Sequence, residues 1–482
     1  MLRALGTQTG LGSLRTVSFR FFRLYLKVPI VLLALIEGSL FVYAPYLAAA
    51  LRFGPSATER ATPSGHLLPT ALLFASFAVM ALFAMGLYTI RQRSGTAGTV
   101  LRVVAGLLVA SALSALAYFI VPNLTIGRGM LALTTVIGVA SALITRLLFE
   151  HIVDQDLFKR RVLVYGAGRR AASLRDLRRR SDQRGFRLMG FIATEGDELS
   201  ARPERLLDRP DDLYAWVVKN PIDEIVVAMD DRRRGFPMHE FLECRLAGIE
   251  ILELPTFLER ETGKVRLDVL NPSWIIFGEG FRVSLLQRVV ERMVDIVVSL
   301  ALLTLAAPAI LLTALAIKFE EGLDAPILYR QRRVGQHGVV FDVLKFRSMR
   351  VNAEQPGQAI WAARDDPRVT RVGSFMRKTR IDELPQLINV LRGDMSFVGP
   401  RPERPEFVQK LEHTIPYYRE RHSVKPGITG WAQLCYPYGS SEKDALEKLQ
   451  YDLYYVKNRS LLFDLAILVQ TVEVVLWGKG AR

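Results

Sequence analysis

Asp382 and Glu383 stand side by side in the stretch Arg377-Lys-Thr-Arg-Ile-Asp-Glu-Leu-Pro-Gln-Leu, and the turn Gly399-Pro-Arg-Pro402 follows soon after. Neighbouring carboxylates among arginines suit chemistry on phosphates. Proline is tolerated in the first turn of a helix but not deeper, so Pro385 predicts Asp382 near an N-cap and Glu383 in the first turn. A helix N-terminus and nearby arginines favour an ionised carboxylate, a competent nucleophile at neutral pH. The same helix end offers amides to a phosphate. The second carboxylate could hold Mg²⁺, a hard ion that takes one or two carboxylates plus phosphate oxygens. On the residues alone, an Asp-Glu pair before a helix is more often a plain cap. Upstream, Phe341-Asp-Val-Leu-Lys-Phe-Arg-Ser-Met predicts a strand with Lys345 and Arg347 on one face. Asp365-Asp-Pro-Arg-Val-Thr-Arg371 predicts a turn.

The elements that must hold these residues begin in a membrane. The chain has 482 residues, room for two or three domains, and is 50% hydrophobic. Apolar runs at 28–51, 67–90, 103–121 and 130–148 each approach the ~20 residues that a hydrocarbon core of ~30 Å requires. Only Glu37 and Arg146 interrupt them. Glu37 is expected to face the bundle or be bonded within it, and Arg146 to snorkel from near a helix end. Lys and Arg crowd the segments before the first run, between the second and third, and after the fourth, which predicts both ends of the bundle in the cytoplasm. The first run has no cleavage site of the secretory kind. A net charge of +15 fits anionic headgroups and phosphorylated substrates better than nucleic acid in a chain with four spans. Cys244 and Cys435 are the only cysteines and the six histidines are scattered, which excludes a disulfide framework and a zinc site.

A fifth apolar run, 293–317, has Arg288 and Arg292 before it, Lys318 after it and Pro308 near its middle. Positive charge on both flanks argues against crossing, and a proline break would return the chain to its starting side. A re-entrant helix–break–helix is therefore expected, with an ordinary kinked span as the alternative. Further on, 461–477 reads as an interfacial amphipathic helix, with Asp464 and Glu473 interrupting apolar sequence.

Between the membrane segments, 160–280 alternates predicted strands (161–165, 186–193, 224–229, 249–254) with polar helical stretches, the pattern of a parallel α/β sheet. Gly166-x-Gly168-x-x-Ala171 fits a shortened dinucleotide fingerprint, in which glycines let amides approach a pyrophosphate. The acidic residue expected ~20 positions on is missing, since Glu195 and Asp197 come late. A structural or regulatory Rossmann-like domain is the better reading, with nucleotide binding at Gly166 and Gly168 as the alternative.

From 287 to 482 the chain resembles the catalytic domain of the bacterial sugar transferases, the polyprenyl-phosphate sugar-1-phosphate transferases. The resemblance rests on Lys345-Phe-Arg-Ser-Met, Asp366-Pro-Arg-Val-Thr-Arg-Val-Gly, Asp382-Glu-Leu-Pro-Gln-Leu, Asn389-Val-Leu-Arg-Gly, Met395-Ser-Phe-Val-Gly-Pro-Arg-Pro, Lys425-Pro-Gly-Ile-Thr-Gly-Trp-Ala-Gln and Tyr451-Asp-Leu-Tyr-Tyr-Val-Lys-Asn, in that order. The spans and the α/β region also look like the long members of that family. Gly430-Trp-Ala-Gln-Leu-Cys-Tyr-Pro-Tyr-Gly and the Gly478-Lys-Gly-Ala-Arg ending look most like the branch associated with PEP-CTERM/exosortase exopolysaccharide loci.

The resemblance implies three domains: a four-helix transmembrane bundle (1–155), a Rossmann-like cytoplasmic α/β domain (160–280), and an α+β catalytic domain (287–482) that carries the re-entrant helix. It implies that Asp382 attacks the sugar-proximal phosphorus of a UDP-sugar, releasing UMP, and that polyprenyl phosphate then takes the sugar phosphate. Glu383 would hold Mg²⁺, while Lys345, Arg347, Arg377, Arg401 and Arg404 are the candidates for the phosphates, Arg401 foremost because prolines fix its turn. The family's break often reads Ser-Pro; here it is Ala307-Pro308, so the bend would rest on proline and packing. The implied setting is the inner membrane of a bacterium, with the catalytic domain on the cytoplasmic side. Its lipid and the two substrates would be the partners, and the middle domain could mediate a homodimer.

Two other enzyme classes fit less well. A membrane-bound sugar-nucleotide dehydratase needs Tyr-x-x-x-Lys, which occurs nowhere. A processive glycosyltransferase wants Asp-x-Asp in a soluble domain, and Asp154-Gln-Asp156 sits at a membrane exit. A membrane scaffold or nucleotide sensor organising polysaccharide assembly is the non-enzymatic alternative.

Overall fold

The computed structural model describes residues 18–21, 24–54, 66–88, 96–153, 159–177, 186–195, 197–198, 200, 205–231, 235–270, 280–281, 284–350, 367–436, 439 and 441–476. Arg91 and Arg93, the Asp154 and Asp156 pair, Asp365 and Asp366, and the 478–482 ending lie outside these residues. The chain forms two compact units, Met1–Thr262 and Gly263–Arg482.

In the first unit a short antiparallel pair, β1 (Ser18–Phe21) and β2 (Leu24–Lys27), precedes four apolar helices: α1 (Val28–Phe53), α2 (Leu68–Ala84), α3 (Thr96–Ile120) and α4 (Arg128–Val153). They are apolar on both sides. Phe41, Phe74, Leu82, Leu107 and Ala142 fill the bundle interior, while Leu35, Leu72, Leu108, Leu116, Phe119 and Leu147 are exposed on its outside. Water does not tolerate such a surface and lipid does, so this is a membrane protein. Three of the helices hold spans long and apolar enough to cross, Val31–Phe53, Thr99–Ile120 and Arg128–Phe149.

The second helix is shorter than the expected 67–90. Gly86, at φ 69°, takes the left-handed conformation after α2, and the amides of Gly86 and Leu87 return to Phe83 and Leu82. That closure ends the helix however apolar the following residues are.

Glu37 is bonded inside the bundle, as expected, but Arg146 does not snorkel. Its Nη2 lies 2.9 Å from Glu37 Oε2, both side chains are buried, and its Nη1 donates to the Leu87 carbonyl at 3.0 Å. Tyr88 also donates to Glu37. An unpaired charge at that depth costs more than the long side chain gains by reaching for water, so the pair forms.

The unit continues with β3 (Arg160–Tyr165), α5 (Arg169–Ala172), β4 (Phe186–Ile192), β5 (Leu206–Leu207), α6 (Leu213–Lys219), β6 (Glu224–Val227), α7 (Met238–Leu246), β7 (Glu250–Glu253) and α8 (Leu254–Thr262). The sheet is five-stranded and wholly parallel, in the order β5-β4-β3-β6-β7. Its central strands, β3 and β6, are buried on both faces, as parallel strands are, while β4 and β7 keep exposed polar positions. Leu163, Tyr165, Ile225 and Val227 pack with Leu213, Val217 and Phe241.

The second unit opens with α9 (Leu285–Glu321), a single helix of 37 residues with Pro308 inside it. The expected break into two helices is not found. Ala306, Ala307 and Ala309 flank the proline, and strong helix formers on both sides let the ladder resume after the one lost bond. At about 1.5 Å per residue α9 runs ~55 Å. Glu291, Asp295, Ser299, Thr313 and Ile317 are buried along one side, while Leu300, Leu305, Leu311, Leu315 and Phe319 are exposed on the others.

After α9 come β8 (Leu328–Val334), β9 (Val340–Phe346), α10 (Arg371–Thr379), α11 (Gln386–Arg392), β10 (Ser396–Val398), α12 (Pro405–Thr414), β11 (Gly427–Thr429), α13 (Trp431–Cys435), α14 (Glu442–Asn458) and α15 (Leu461–Leu476). β8 and β9 form an antiparallel hairpin, and β10 pairs with β11 in parallel. Both ends of α9 are fastened to this α/β body. Near its start, Arg292 donates to the carbonyls of Val390 and Leu391 at 2.6 Å each, and Asp295 accepts from Ser396 Oγ and Phe397 N. At its far end Ile317 packs with Phe346 and Met376, and Glu320 accepts from the amides of Arg371 and Val372.

Candidate active site

Asp382 sits in a 3₁₀ turn, Ile381–Glu383, between α10 and α11. Arg380 makes the corner by adopting φ 60° and ψ 15°, a left-handed conformation that is unusual for a side chain of its size. The helix after Pro385 starts at Gln386, so Asp382 precedes it by a full turn and is not its N-cap. Proline sets where the helix can start but not how much turn is inserted before it. α11 is pinned to the hairpin by Asn389, which is fully buried. Its Oδ1 accepts from Leu344 N at 2.9 Å and its Nδ2 donates to the Asp342 carbonyl at 2.8 Å, imitating a strand neighbour. That clamp brings the Asp382 turn against β9 and Lys345.

Asp382 is only 8% exposed, and its Oδ1 is buried with no hydrogen-bond partner among the described residues. Glu383 is engaged: its Oε1 lies 2.9 Å from Arg401 Nη2, 3.7 Å from Arg380 Nη1 and 3.8 Å from Lys345 Nζ. The two carboxyls are driven apart electrostatically. Burial, and then the charge of Glu383, raise Asp382 above the ordinary aspartate range, against the pull of Lys345, Arg380 and Arg377. The dipole-stabilised anion expected from sequence is corrected here, because the turn is desolvated and lies off the helix end. Burial works against ionisation of Glu383 too, but Arg401 and Lys345 outweigh it and hold that carboxyl at about 2. Burial pushes the Lys345 ammonium down to about 8, with Glu383 opposing.

Arg401 reaches Glu383 from the Gly-Pro-Arg-Pro turn, which is backed closely onto β11. A Cβ on Gly399 would come within 2.3 Å of the Lys425 carbonyl oxygen, and one on Gly427 within 2.1 Å of Gly399 N. Only glycines permit that approach.

Of the sequence candidates, Asp382, Glu383, Lys345 and Arg401 come together. Arg377 stands close enough to act on Asp382 and donates from Nε to Ser348 Oγ at 3.0 Å. Arg347 is not among the cations that meet Glu383. β9 ends at Phe346, and beyond it the Arg347 Nε donates to the Pro326 carbonyl at 3.0 Å with its guanidinium 5.9 Å from the Tyr329 ring. Tyr329 stands opposite Lys345 across the hairpin, so Arg347 is on the Lys345 face but is turned toward the Tyr329 ring and the Pro326 carbonyl. Arg404 lies at the start of α12, 3.6 Å from Glu406. Sequence reasoning missed Arg380, whose left-handed turn carries no side-chain signal, and the buried Arg421–Asp452 pair behind the Pro-Arg-Pro turn.

The described residues hold no cluster of three or more metal-ligand side chains. The unpartnered Asp382 oxygen beside the Glu383 carboxylate is nonetheless a hard donor set, and it fits an ion that takes one or two carboxylates and completes its shell with phosphate oxygens.

The glycine loop after β3 is a different case. Gly166, at φ 119°, runs so close to the neighbouring strand that a Cβ would meet the Ala228 carbonyl carbon at 2.5 Å. The loop amides are already taken. Asp230 accepts from Arg169 N and Arg170 N at 2.9 Å each, and Asp197 Oδ2 accepts from Ala167 N at 2.8 Å. Asp197 is held in turn by Thr194, through N at 3.0 Å and Oγ1 at 2.8 Å. A Cβ on Gly168 would fall 2.1 Å from Asp230 Oδ2.

Residues 286–478 match the family model described as bacterial sugar transferase. The chain is 40% identical over 279 residues to a UDP-N-acetylgalactosamine-undecaprenyl-phosphate N-acetylgalactosaminephosphotransferase of Aeromonas hydrophila, an alignment covering 58% of this chain and 63% of that relative, so less than two thirds of its length. It is 31% identical over 372 residues to a UDP-glucose:undecaprenyl-phosphate glucose-1-phosphate transferase of Xanthomonas campestris pv. campestris, covering 74% of this chain and 75% of the relative. An Escherichia coli (strain K12) protein of the same name is 43% identical over 211 residues, 43% of this chain and 44% of its own. The chain belongs to the bacterial sugar transferase family.

Proposed function

We propose that this protein transfers a sugar-1-phosphate from a UDP-sugar to undecaprenyl phosphate, as a first membrane step of exopolysaccharide assembly. The observation that carries the reading is Asp382: a buried carboxyl with one oxygen unpartnered among the described residues, beside an ionised Glu383 and under the charges of Lys345 and Arg377.

In the first step an Asp382 oxygen forms a bond to the sugar-proximal phosphorus, and the bond from that phosphorus to the bridging oxygen breaks, its electron pair leaving with UMP. In the second, a polyprenyl phosphate oxygen attacks the same phosphorus and Asp382 departs as a carboxylate. Burial keeps water from the acyl phosphate between the steps. Lys345, Arg377 and Arg401 supply positive charge where the phosphoryl oxygens develop theirs. Glu383, beside Asp382, would hold Mg²⁺, which would supply Lewis-acid stabilisation of the phosphates. The scaffold alternative leaves the buried Asp382 and its cations unexplained.

We read α9 as staying on one side of the membrane, lying along the near leaflet without crossing. Arg292 and Asp295 at one end and Ile317 and Glu320 at the other bind the same α/β body, and a helix crossing the bilayer cannot return both ends to one soluble domain. Its exposed leucines then lie in the near leaflet, where a lipid phosphate and a soluble sugar nucleotide meet. The flanking Lys and Arg favour the cytoplasmic face of the inner membrane. The division we propose is a bundle over 1–155, a Rossmann-like α/β domain from 160, and a catalytic domain over 287–482. The α/β fold ends with α8 at Thr262, and Gly263–Val265 associate with α13 and α14.

The test is UMP release from a panel of UDP-sugars by purified protein in a membrane mimetic with Mg²⁺ and polyprenyl phosphate, alongside Asp382→Asn. Release with one sugar that vanishes in the variant supports the reaction and names the sugar. Silence across the panel from folded protein rejects it.

A further inference from the structure

We infer that Arg421, anchored by Asp452, is a positioning residue that sets Arg401 against Glu383. The inference rests on the transferase reading above and adds a residue pair that touches no substrate.

The Gly399–Pro402 turn is short of backbone donors, because prolines 400 and 402 have no N–H. The carbonyls in it and on either side are therefore the handles by which the fold can grip it. Tyr455 donates to the Val398 carbonyl, Gly427 N to that of Pro400, Arg333 to that of Pro402 and Val334 N to that of Glu403. The carbonyl of Arg401 itself is gripped by Arg421 Nη2, at 3.0 Å.

Arg421 is held from every side. Its Nε and Nη2 lie 3.0 and 2.8 Å from Asp452 Oδ2, and its Nη1 donates to the Tyr418 hydroxyl at 2.8 Å. Its guanidinium also faces the Tyr418 ring at 5.2 Å. Arg421 and Asp452 are 5% and 2% exposed. A buried ion pair is a poor device for stability, since apolar residues of similar volume do as well or better. A rigid fork that meets a carboxylate, a hydroxyl and one particular carbonyl together is a good device for fixing a backbone. The atom it fixes belongs to the residue whose side chain lies 2.9 Å from Glu383.

Lysine keeps the charge and can still pair with Asp452, but it lacks the fork. Arg421→Lys is therefore expected to lower the maximal rate of UMP release by about ten- to a hundredfold, the usual effect of losing an orienting partner. Asp452→Asn should act in the same direction. A purely structural role would give the same loss, so the deciding measurement is a double-mutant cycle with Arg401→Ala. If Arg421 acts through Arg401, Arg421→Lys costs nothing further, within about twofold, once Arg401 is gone. Losses that multiply in the double variant overturn the inference, as does a loss in Arg421→Lys that merely tracks a lowered melting temperature. Wild-type protein that releases no UMP overturns the functional reading itself and takes this inference with it. An active wild type with a multiplicative cycle removes only the positioning role.

Discussion

The glycine loop after β3 and the turn that carries Asp382 both have a form suited to phosphate, and the chain has dealt with them in opposite ways. The loop offers backbone amides, but Asp230 and Asp197 already accept from those of Ala167, Arg169 and Arg170. At Asp382 the positive charge comes from side chains, and the carboxyl keeps a buried oxygen without a partner among the described residues. A carboxylate seated on amides imitates the phosphate that a fingerprint loop would bind, and its own hydrogen bonds stabilise it there. A buried carboxyl left unpaired beside an ionised neighbour is costly, and such cost is typical of a group kept for chemistry. Motif spacing identifies where a phosphate could be approached. Availability depends on what the rest of the fold has placed there.

The largest expected effect breaks the comparison at its active end. Asp382→Asn should reduce UMP release by at least about a thousandfold, as removal of a nucleophile does. Glu383→Gln follows. It removes the charge that gathers Arg401, Arg380 and Lys345 and keeps the neighbouring carboxyl in its raised state, and about a hundredfold loss is expected. A Glu383→Gln enzyme with unchanged rate would mean that the cluster of cations is structural.

The pH profile sharpens the same end. Burial sets Lys345 at about 8, so it loses its proton in the mildly alkaline range while still ammonium in the unfolded chain. There the unfolded state binds more protons, and stability rises with pH. Activity should move the other way, falling above pH 8 as the charge on the phosphates is lost. Lys345→Arg, which keeps its proton, should push that alkaline limb upward. A limb that stays put in the variant assigns it to another group. On the acid side Asp382 must be ionised to attack, and its raised position places that limb above the ordinary aspartate range.

How much of this was legible in the residues follows from what each signal reports. Asp382, Glu383 and Lys345 stood out through local spacing and proline or strand context. On the residues alone the Asp-Glu pair read as a cap, and only the family resemblance pointed to phosphate roles for these residues and for Arg401. The α/β sheet was found from alternation, and the apolar helices from run length. Arg347 shares the Lys345 face, as alternation predicts, but alternation does not register that the Pro326 carbonyl and the Tyr329 ring engage its guanidinium. The second apolar helix was overdrawn because hydropathy does not register Gly86, and a left-handed glycine ends a helix regardless of polarity. Pro308 was expected to break α9, but proline removes one bond, and the alanines around it carry the helix on. Arg421 and Asp452 lie 31 positions apart, and their meeting is tertiary. Asp230 closing the glycine loop is of the same kind, 60 and 61 residues from its amide donors.

The smallest effect tests the closed end of the comparison. Asp230→Ala removes two charge-assisted hydrogen bonds from the loop amides, and loss of such bonds costs about 1.5–3 kcal/mol. The melting temperature should fall accordingly. UMP release at a permissive temperature should stay within about twofold of wild type, because the loop takes no part in the transfer. Titration with a dinucleotide gives the complementary result. Wild-type protein, whose loop amides already hold carboxylates, should not bind it through this loop. Binding by the wild type that Gly168→Ala abolishes would mean that Asp230 and Asp197 yield to a pyrophosphate, and the two corners of the molecule would then differ in timing more than in kind.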